Sequence, residues 1–161
     1  MQRLILINGL PGSGKSTIGL MLRDALQPAA FVDTDHLMRV KPWPADGSIY
    51  EETLERGLMV AEDFFSRGIP TVILSGCVHS TALFQTVGWT IDLSLVQCTV
   101  IALQVEESLR EDRQKARGKE VDVGTNVFHF SPEDVDPATL ITIDTSQQTA
   151  EETVQNILQQ L

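Results

Sequence analysis

Residues 9–17 read Gly9-Leu10-Pro11-Gly12-Ser13-Gly14-Lys15-Ser16-Thr17 and match G-x-x-x-x-G-K-[ST] at every position. These residue types at this spacing describe a phosphate cradle. Glycines at 9, 12 and 14 permit positive φ and a close backbone approach. Successive N–H groups can then turn inward around a β-phosphate. Lys15 can reach the β- and γ-phosphates as a point charge, and the Ser16 hydroxyl is placed to ligate Mg²⁺. A helix opening near Lys15 would add the positive end of its dipole. The whole run Gly9–Thr17 is therefore the expected nucleotide-binding segment, with Mg-ATP as the implied ligand.

Two carboxylates come next. Phe31-Val32-Asp33-Thr34-Asp35 ends a short apolar run with Asp33 and Asp35 two positions apart. In an extended segment such a pair points the same way, so both could face a phosphate crevice. One, Asp33, could hold Mg²⁺ together with Ser16. The other, Asp35, could position or deprotonate an incoming hydroxyl. The plainer alternative makes Asp35 the cap of a following helix.

The third candidate strand runs into Ser75-Gly76-Cys77-Val78-His79. Many phosphate-loop proteins carry an Asp at this strand end; here Ser75 and Gly76 stand there, which shifts the metal role onto Asp33. His79 is either a substrate contact or a solvated loop side chain.

A basic stretch follows. Arg110, Arg113, Lys115, Arg117 and Lys119 are five of the twelve basic residues, gathered in an acidic chain. At i, i+3 and i+7, Arg110, Arg113 and Arg117 fall on one helical face. Guanidinium groups suit polyphosphates because they bind two oxygens at once and keep their charge. Residues 106–131 are expected to form a lid that brings Arg113 and Arg117 onto the phosphates. A solvated face paired with Glu106, Glu107, Glu111 and Asp112 is the alternative.

The elements that must position these groups alternate in type. Strands are expected at 3–7, 30–33, 70–75, 96–104 and 139–143. Helices are expected at 15–27, 50–67, 106–117 and 149–160, with short helical pieces near 35–40 and 80–86. Leu4–Ile7 is a continuous apolar run, as a strand covered on both faces requires. Ile18, Met21, Leu22, Ala25 and Leu26 follow at helical spacing, and Tyr50, Leu54, Leu58, Ala61, Phe64 and Phe65 form a second apolar stripe. Thr149-Ala150-Glu151-Glu152 is a capping box. This order predicts a three-layer α/β/α domain with a five-stranded parallel sheet. Ligands then bind beyond the carboxyl ends of the strands.

Composition sets bounds. The 161 residues, 42% of them hydrophobic, fit one domain with one core. A formal net charge of -10 disfavours nucleic acid as a partner. No run of 18 apolar residues suggests a membrane span, and the chain starts on a strand rather than a leader, so a cytoplasmic location is expected. Cys77 and Cys98 suit buried apolar positions in a reducing compartment. Oligomeric state is not legible.

Assembled, these residues resemble the small P-loop kinases of the nucleoside-monophosphate-kinase-like fold. That group includes shikimate kinase, gluconate kinase, chloramphenicol phosphotransferase, and zeta-toxin-like and AAA_33-type kinases. The resemblance spans essentially the whole chain. Asp33-Thr34-Asp35 looks like the D-x-D of shikimate kinase, which implies a first Asp near Mg²⁺ and a second at the substrate hydroxyl. Arg113 to Gly118 resembles the R-x-x-x-R-G lid pattern of chloramphenicol-phosphotransferase-like members. Ile143-Asp144-Thr145-Ser146 resembles the I-D-T-S whose loop packs near adenine. The resemblance implies a kinase moving the ATP γ-phosphate to a small-molecule hydroxyl. Lys15, Asp35, Arg113 and Arg117 would be its catalytic residues.

The chain also departs from the group. Ser75-Gly76-Cys77 is not the Gly-Gly-Gly of shikimate kinases, and the gluconate kinase signature is missing. Arg39 stands one place beyond the arginine of polynucleotide 5′-kinases. A nucleotide-dependent switch and a polynucleotide 5′-hydroxyl kinase, with Arg39 and Lys41 near the acceptor, are the rival readings. Trp43, Tyr50 and Trp89 either line an acceptor pocket or fill core.

Overall fold

The computed structural model describes residues 1–37, 48–76, 91–92, 94–118 and 140–161. Arg39, Lys41, Trp43, Cys77, His79, Trp89, Lys119, the helix expected near 80–86 and the lid beyond 118 lie outside the described residues. So do the side chains of residues 48–51, Tyr50 included.

The described strands are β1 (Gln2–Asn8), β2 (Ala29–Asp33), β3 (Thr71–Ser75), β4 (Val96–Gln104) and β5 (Leu140–Asp144). The described helices are α1 (Lys15–Ala25), α2 (Ser48–Ser66), α3 (Glu107–Ala116) and α4 (Ala150–Gln160). Each lies within two residues of its expected position. The strands form one parallel sheet in the order β2-β3-β1-β4-β5.

Parallel strands are buried on both faces, and alternation along β1 divides its side chains between two cores. Leu4 and Leu6 face a cluster with Val72, Leu74, Val100 and the α2 residues Leu54, Leu58, Ala61 and Phe65. Ile5 and Ile7 face the other cluster, with Ile73, Ile101, Ile143, Ile18 and Leu22 of α1 and Val154 and Ile157 of α4. The apolar stripes of the sequence thus become the sheet-facing sides of the helices. Gly19 admits Phe31, whose ring lies where a Cβ would stand. The Thr149 capping box is present: Glu152 N–H donates to Thr149 Oγ1 at 3.1 Å, and Thr149 N–H donates to Glu152 Oε2 at 2.8 Å.

This topology puts β1 at the centre, between β3 and β4. Its carboxyl end, where the glycine-rich loop begins, is flanked by the exits of every other strand. The loop is therefore held at the middle of the sheet's ligand-binding edge. No described helix is long and apolar enough to cross a membrane.

Candidate active site

The loop between β1 and α1 needs glycine at two kinds of position. Gly9, Gly12 and Gly14 have φ of 152°, 89° and 98°. At Gly12 a second constraint applies: a Cβ there would lie 2.9 Å from the Arg110 carbonyl oxygen and 3.0 Å from Arg110 Cγ. The loop is therefore roofed closely by α3. Gln114 of that helix donates from Nε2 to Pro11 O at 3.0 Å. Lys15 crosses the loop mouth, with Nζ donating to Gly9 O at 2.8 Å and to Leu10 O at 3.4 Å. Ser13 is buried, and its Oγ has no hydrogen-bond partner among the described residues.

Ser16, in the first turn of α1, donates from Oγ to Asp33 Oδ2 at 2.7 Å. The other Asp33 oxygen accepts from Asp35 N–H at 3.2 Å. Here the extended geometry expected for 33–35 gives way. Asp33 is the N-cap of a one-turn 3₁₀ helix, Thr34–His36, so the capping carboxylate is Asp33 and not Asp35. The turn separates the pair. Asp33 faces the loop through Ser16, while the exposed Asp35 stands at the end of β3, with Oδ1 3.3 Å from where a Gly76 Cβ would be. Thr34, fully buried, fixes the split by donating from Oγ1 to Ser75 O at 2.7 Å. Ser75 occupies the strand end that carries an Asp in many phosphate-loop proteins. Its Oγ is buried and also has no hydrogen-bond partner among the described residues.

Arg110 and Arg113 of α3 and Arg117, its C-cap, do not share one environment. Arg110 is 5% exposed and packs on Gly12, with a 3.7 Å ion pair to Glu107. Half-buried Arg113 donates to Gly12 O at 3.5 Å and to Thr145 O at 3.4 Å. Arg117 is exposed. Helix α3 is thus docked on the loop along its Arg110–Gln114 side. Arg113 and Arg117 line a cavity of about 270 Å³. Its other walls come from Gly12–Gly14 of the loop, the start of α1, Thr145 and the start of α4. A second, more open depression of about 450 Å³, at Arg23, Gln27 and Ile69, lies by the amino ends of β2 and β3, away from the ligand-binding edge.

The docking of α3 was hidden from the sequence reading, as was the part played by Thr34, Gln114 and Ser146. Gln114 had a signal: it sits four residues from Arg110, as the long uncharged polar side chain in a charged helix. The hydrophobic period says nothing about such a face, because the helix packs on backbone rather than on a core.

Divalent cations of the Mg²⁺ type take oxygen ligands, several of them water or phosphate. Ser16 Oγ and Asp33 form a hard oxygen pair of that kind beside the loop. No cluster of three or more His, Cys, Asp or Glu occurs among the described residues, so this pair fits a cation shared with a phosphate better than an all-protein cage.

The AAA_33 family, described as an AAA domain, matches residues 4–140. No curated protein is a match in sequence. Solved structures share the fold. An unliganded sugar kinase from Janibacter sp. HTCC2649 aligns with TM-score 0.76 and 14% identity over 99% of this chain and 93% of that one. The Mycobacterium tuberculosis APS kinase in complex with AMPPNP and APS gives 0.72 and 16% over 98% and 96%. A gluconokinase from Sinorhizobium meliloti 1021 gives 0.59 and 18% over 96% and 89%.

Proposed function

We propose that this chain, which belongs to the AAA_33 family of AAA domains, is an ATP-dependent phosphotransferase acting on a hydroxyl of a small molecule. Its fold is that of P-loop kinases of the nucleoside-monophosphate-kinase-like group. One observation carries the reading furthest. The turn at 33–36 delivers one carboxylate to the P-loop serine and a second to the neighbouring strand end. A switch protein needs only the first. A group-transfer enzyme needs the second as well, to receive the acceptor's proton.

In this reading Gly9–Thr17 wraps the phosphates of ATP, with Lys15 moving from loop carbonyls to the β- and γ-phosphates. Ser16 and Asp33 hold Mg²⁺. When bound, that cation neutralises phosphate charge and fixes the oxygens for transfer. Asp35 orients the acceptor hydroxyl and takes its proton. Arg113 and Arg117 stabilise charge on the transferring group, and the base and ribose occupy the cavity between α3 and α4. The lid of a single domain expected at 106–131 would act through its described part, α3, which already covers the loop and helps exclude water from the transfer. The similarity to a sugar kinase, an APS kinase and a gluconokinase supports a small hydroxyl-bearing acceptor.

The test is a screen of hydroxyl-bearing metabolites and antibiotics for acceptor-dependent ADP release with Mg-ATP. Release stimulated by one acceptor class supports the reading. Slow release indifferent to every acceptor points to a switch, and stimulation only by oligonucleotides points to a polynucleotide kinase.

A further inference from the structure

Beyond the ends of β4 and β5 the two chains stay joined. Gln104 and Asp144 are the last paired residues of the ladder. Thr145 N–H then donates to Gln104 O at 2.8 Å, and Thr145 Oγ1 donates to the same oxygen at 3.1 Å. One residue further, the Ser146 Oγ accepts from Glu106 N–H at 2.9 Å. Ser146 is itself fixed from the other side: its N–H donates to Asp144 Oδ1 at 2.9 Å. Asp144 thus holds the Ser146 backbone while the Ser146 hydroxyl oxygen accepts from Glu106.

Glu106 is the N-cap of α3 and has no side-chain cap of its own. Ser146 therefore does from another segment what a local cap would do: it ties down the start of the helix. The far end of the docked face is held by Gln114 on Pro11 O at 3.0 Å. Between these two short bonds stands Arg113, whose own bonds are long, at 3.5 Å and 3.4 Å. Such distances contribute little to fixing a guanidinium. Its position is set by the helix that carries it, about 10 Å along the axis from Glu106.

We propose that Ser146, oriented by Asp144, is a positioning residue that sets α3 so that Arg113 forms the nucleotide-facing wall of the cavity. The inference rests on the proposed function in one respect, that this cavity receives a nucleotide. Asp144 contributes indirectly. The Ser146 side chain, and then its N–H, hold the exposed Asp144 carboxyl below the usual carboxylate range.

The experiment is a double-mutant cycle on the full chain, read as the Kd of a non-hydrolysable ATP analogue with Mg²⁺, with thermal unfolding alongside. Ser146→Ala should weaken binding about 5- to 10-fold, the range of coupling carried by one tightly held contact. Ser146→Thr, which keeps the hydroxyl, should bind within about two-fold of wild type. Arg113→Ala should weaken binding by at least as much as Ser146→Ala. Ser146→Ala added to Arg113→Ala should change nothing further, because its effect passes through Arg113. Full additivity, or unaltered binding in either single variant, overturns the proposal. A wild type that binds no nucleotide overturns the proposed function instead, and the two failures are distinguished by that one measurement.

Discussion

Gly12→Ala tests whether α3 is docked on the loop. Two effects are expected at this position. With φ at 89°, the new residue sits in the left-handed region, a strain of about 1–2 kcal/mol for an L-residue. Its Cβ would also stand 2.9 Å from the Arg110 carbonyl oxygen, with Gln114 Cγ at 3.3 Å. A backbone oxygen inside a helix cannot rotate away, so α3 must lift by some tenths of an ångström. The Gln114–Pro11 bond then lengthens, a loss of about 1 kcal/mol. Gly68 supplies the control, with φ of 84° and nothing within 4 Å of a Cβ. Gly68→Ala carries the strain alone. The entropy that alanine removes from the unfolded chain is common to both variants and cancels in the difference. Without nucleotide, Gly12→Ala should therefore be about 1–2 kcal/mol less stable than Gly68→Ala, a further fall in Tm of about 2–6 °C for a domain of this size. Equal Tm losses would refute the docking of α3 on Gly12. Measuring the apoprotein matters, because any damaged P-loop binds nucleotide poorly whatever α3 does.

Further outcomes follow from the same geometry. Lys15→Ala should lower turnover about 100- to 1,000-fold while the apoprotein still unfolds cooperatively, its Tm lowered by the loss of the Gly9 and Leu10 carbonyl bonds, measured by ADP release and thermal unfolding. Asp35→Asn should reduce kcat about 100-fold or more with nucleotide Kd nearly constant. Asp33→Asn should instead raise the Mg²⁺ needed for half-maximal activity, and small, equal effects in both would reduce the pair to capping. Cys98 is buried and its thiol is pushed up to about 12 from 9.0 by desolvation. Between those values the unfolded chain has lost the proton that the folded chain keeps, so stability falls as pH rises above 9, by about 1.4 kcal/mol per unit from this group. That slope should vanish in Cys98→Ala when urea unfolding is followed from pH 8.5 to 10.5.

The fold was legible because its determinants are local or periodic. A β1 run of four apolar residues, the stripe of α2 and the capping box at Thr149 each state an element's type and which side it buries. The P-loop was legible for a different reason: its spacing is dictated by phosphate geometry, so residue types at fixed offsets carry the structure with them. The placement of α3 was not legible. Its buried side chains are Arg110 and Gln114, and they pack on loop backbone and donate to a loop carbonyl. No hydropathy pattern encodes that. The sequence marked the arginines as a group, and the packing separates them: Arg110 is buried against Gly12, Arg113 spans two carbonyls and Arg117 reaches solvent.

The same limit applies to the carboxylate pair, where the spacing did not show that Asp33 itself caps the turn. Spacing of two implies a shared direction only if the chain stays extended. Had it done so, both carboxylates would have lain on the α1 face beside Ser16, where like charges repel. A hydroxyl acceptor would then have had to enter the space the phosphate needs. Asp33 instead turns the chain by accepting Asp35 N–H, and Thr34 locks that turn to Ser75 O. Asp33 then meets Ser16, and Asp35 lies beside Gly76 at the end of β3. Thr34 is the residue on which this depends, since its hydroxyl is buried and donates at 2.7 Å. Replacing it with valine keeps the volume but removes the bond and leaves Ser75 O without that donor, at about 1–3 kcal/mol. The expected signature is a Thr34→Val variant that retains nucleotide binding through Gly9–Thr17 while losing acceptor-dependent turnover. A variant that keeps both would mean the turn at 33–36 does not hold Asp35 in place.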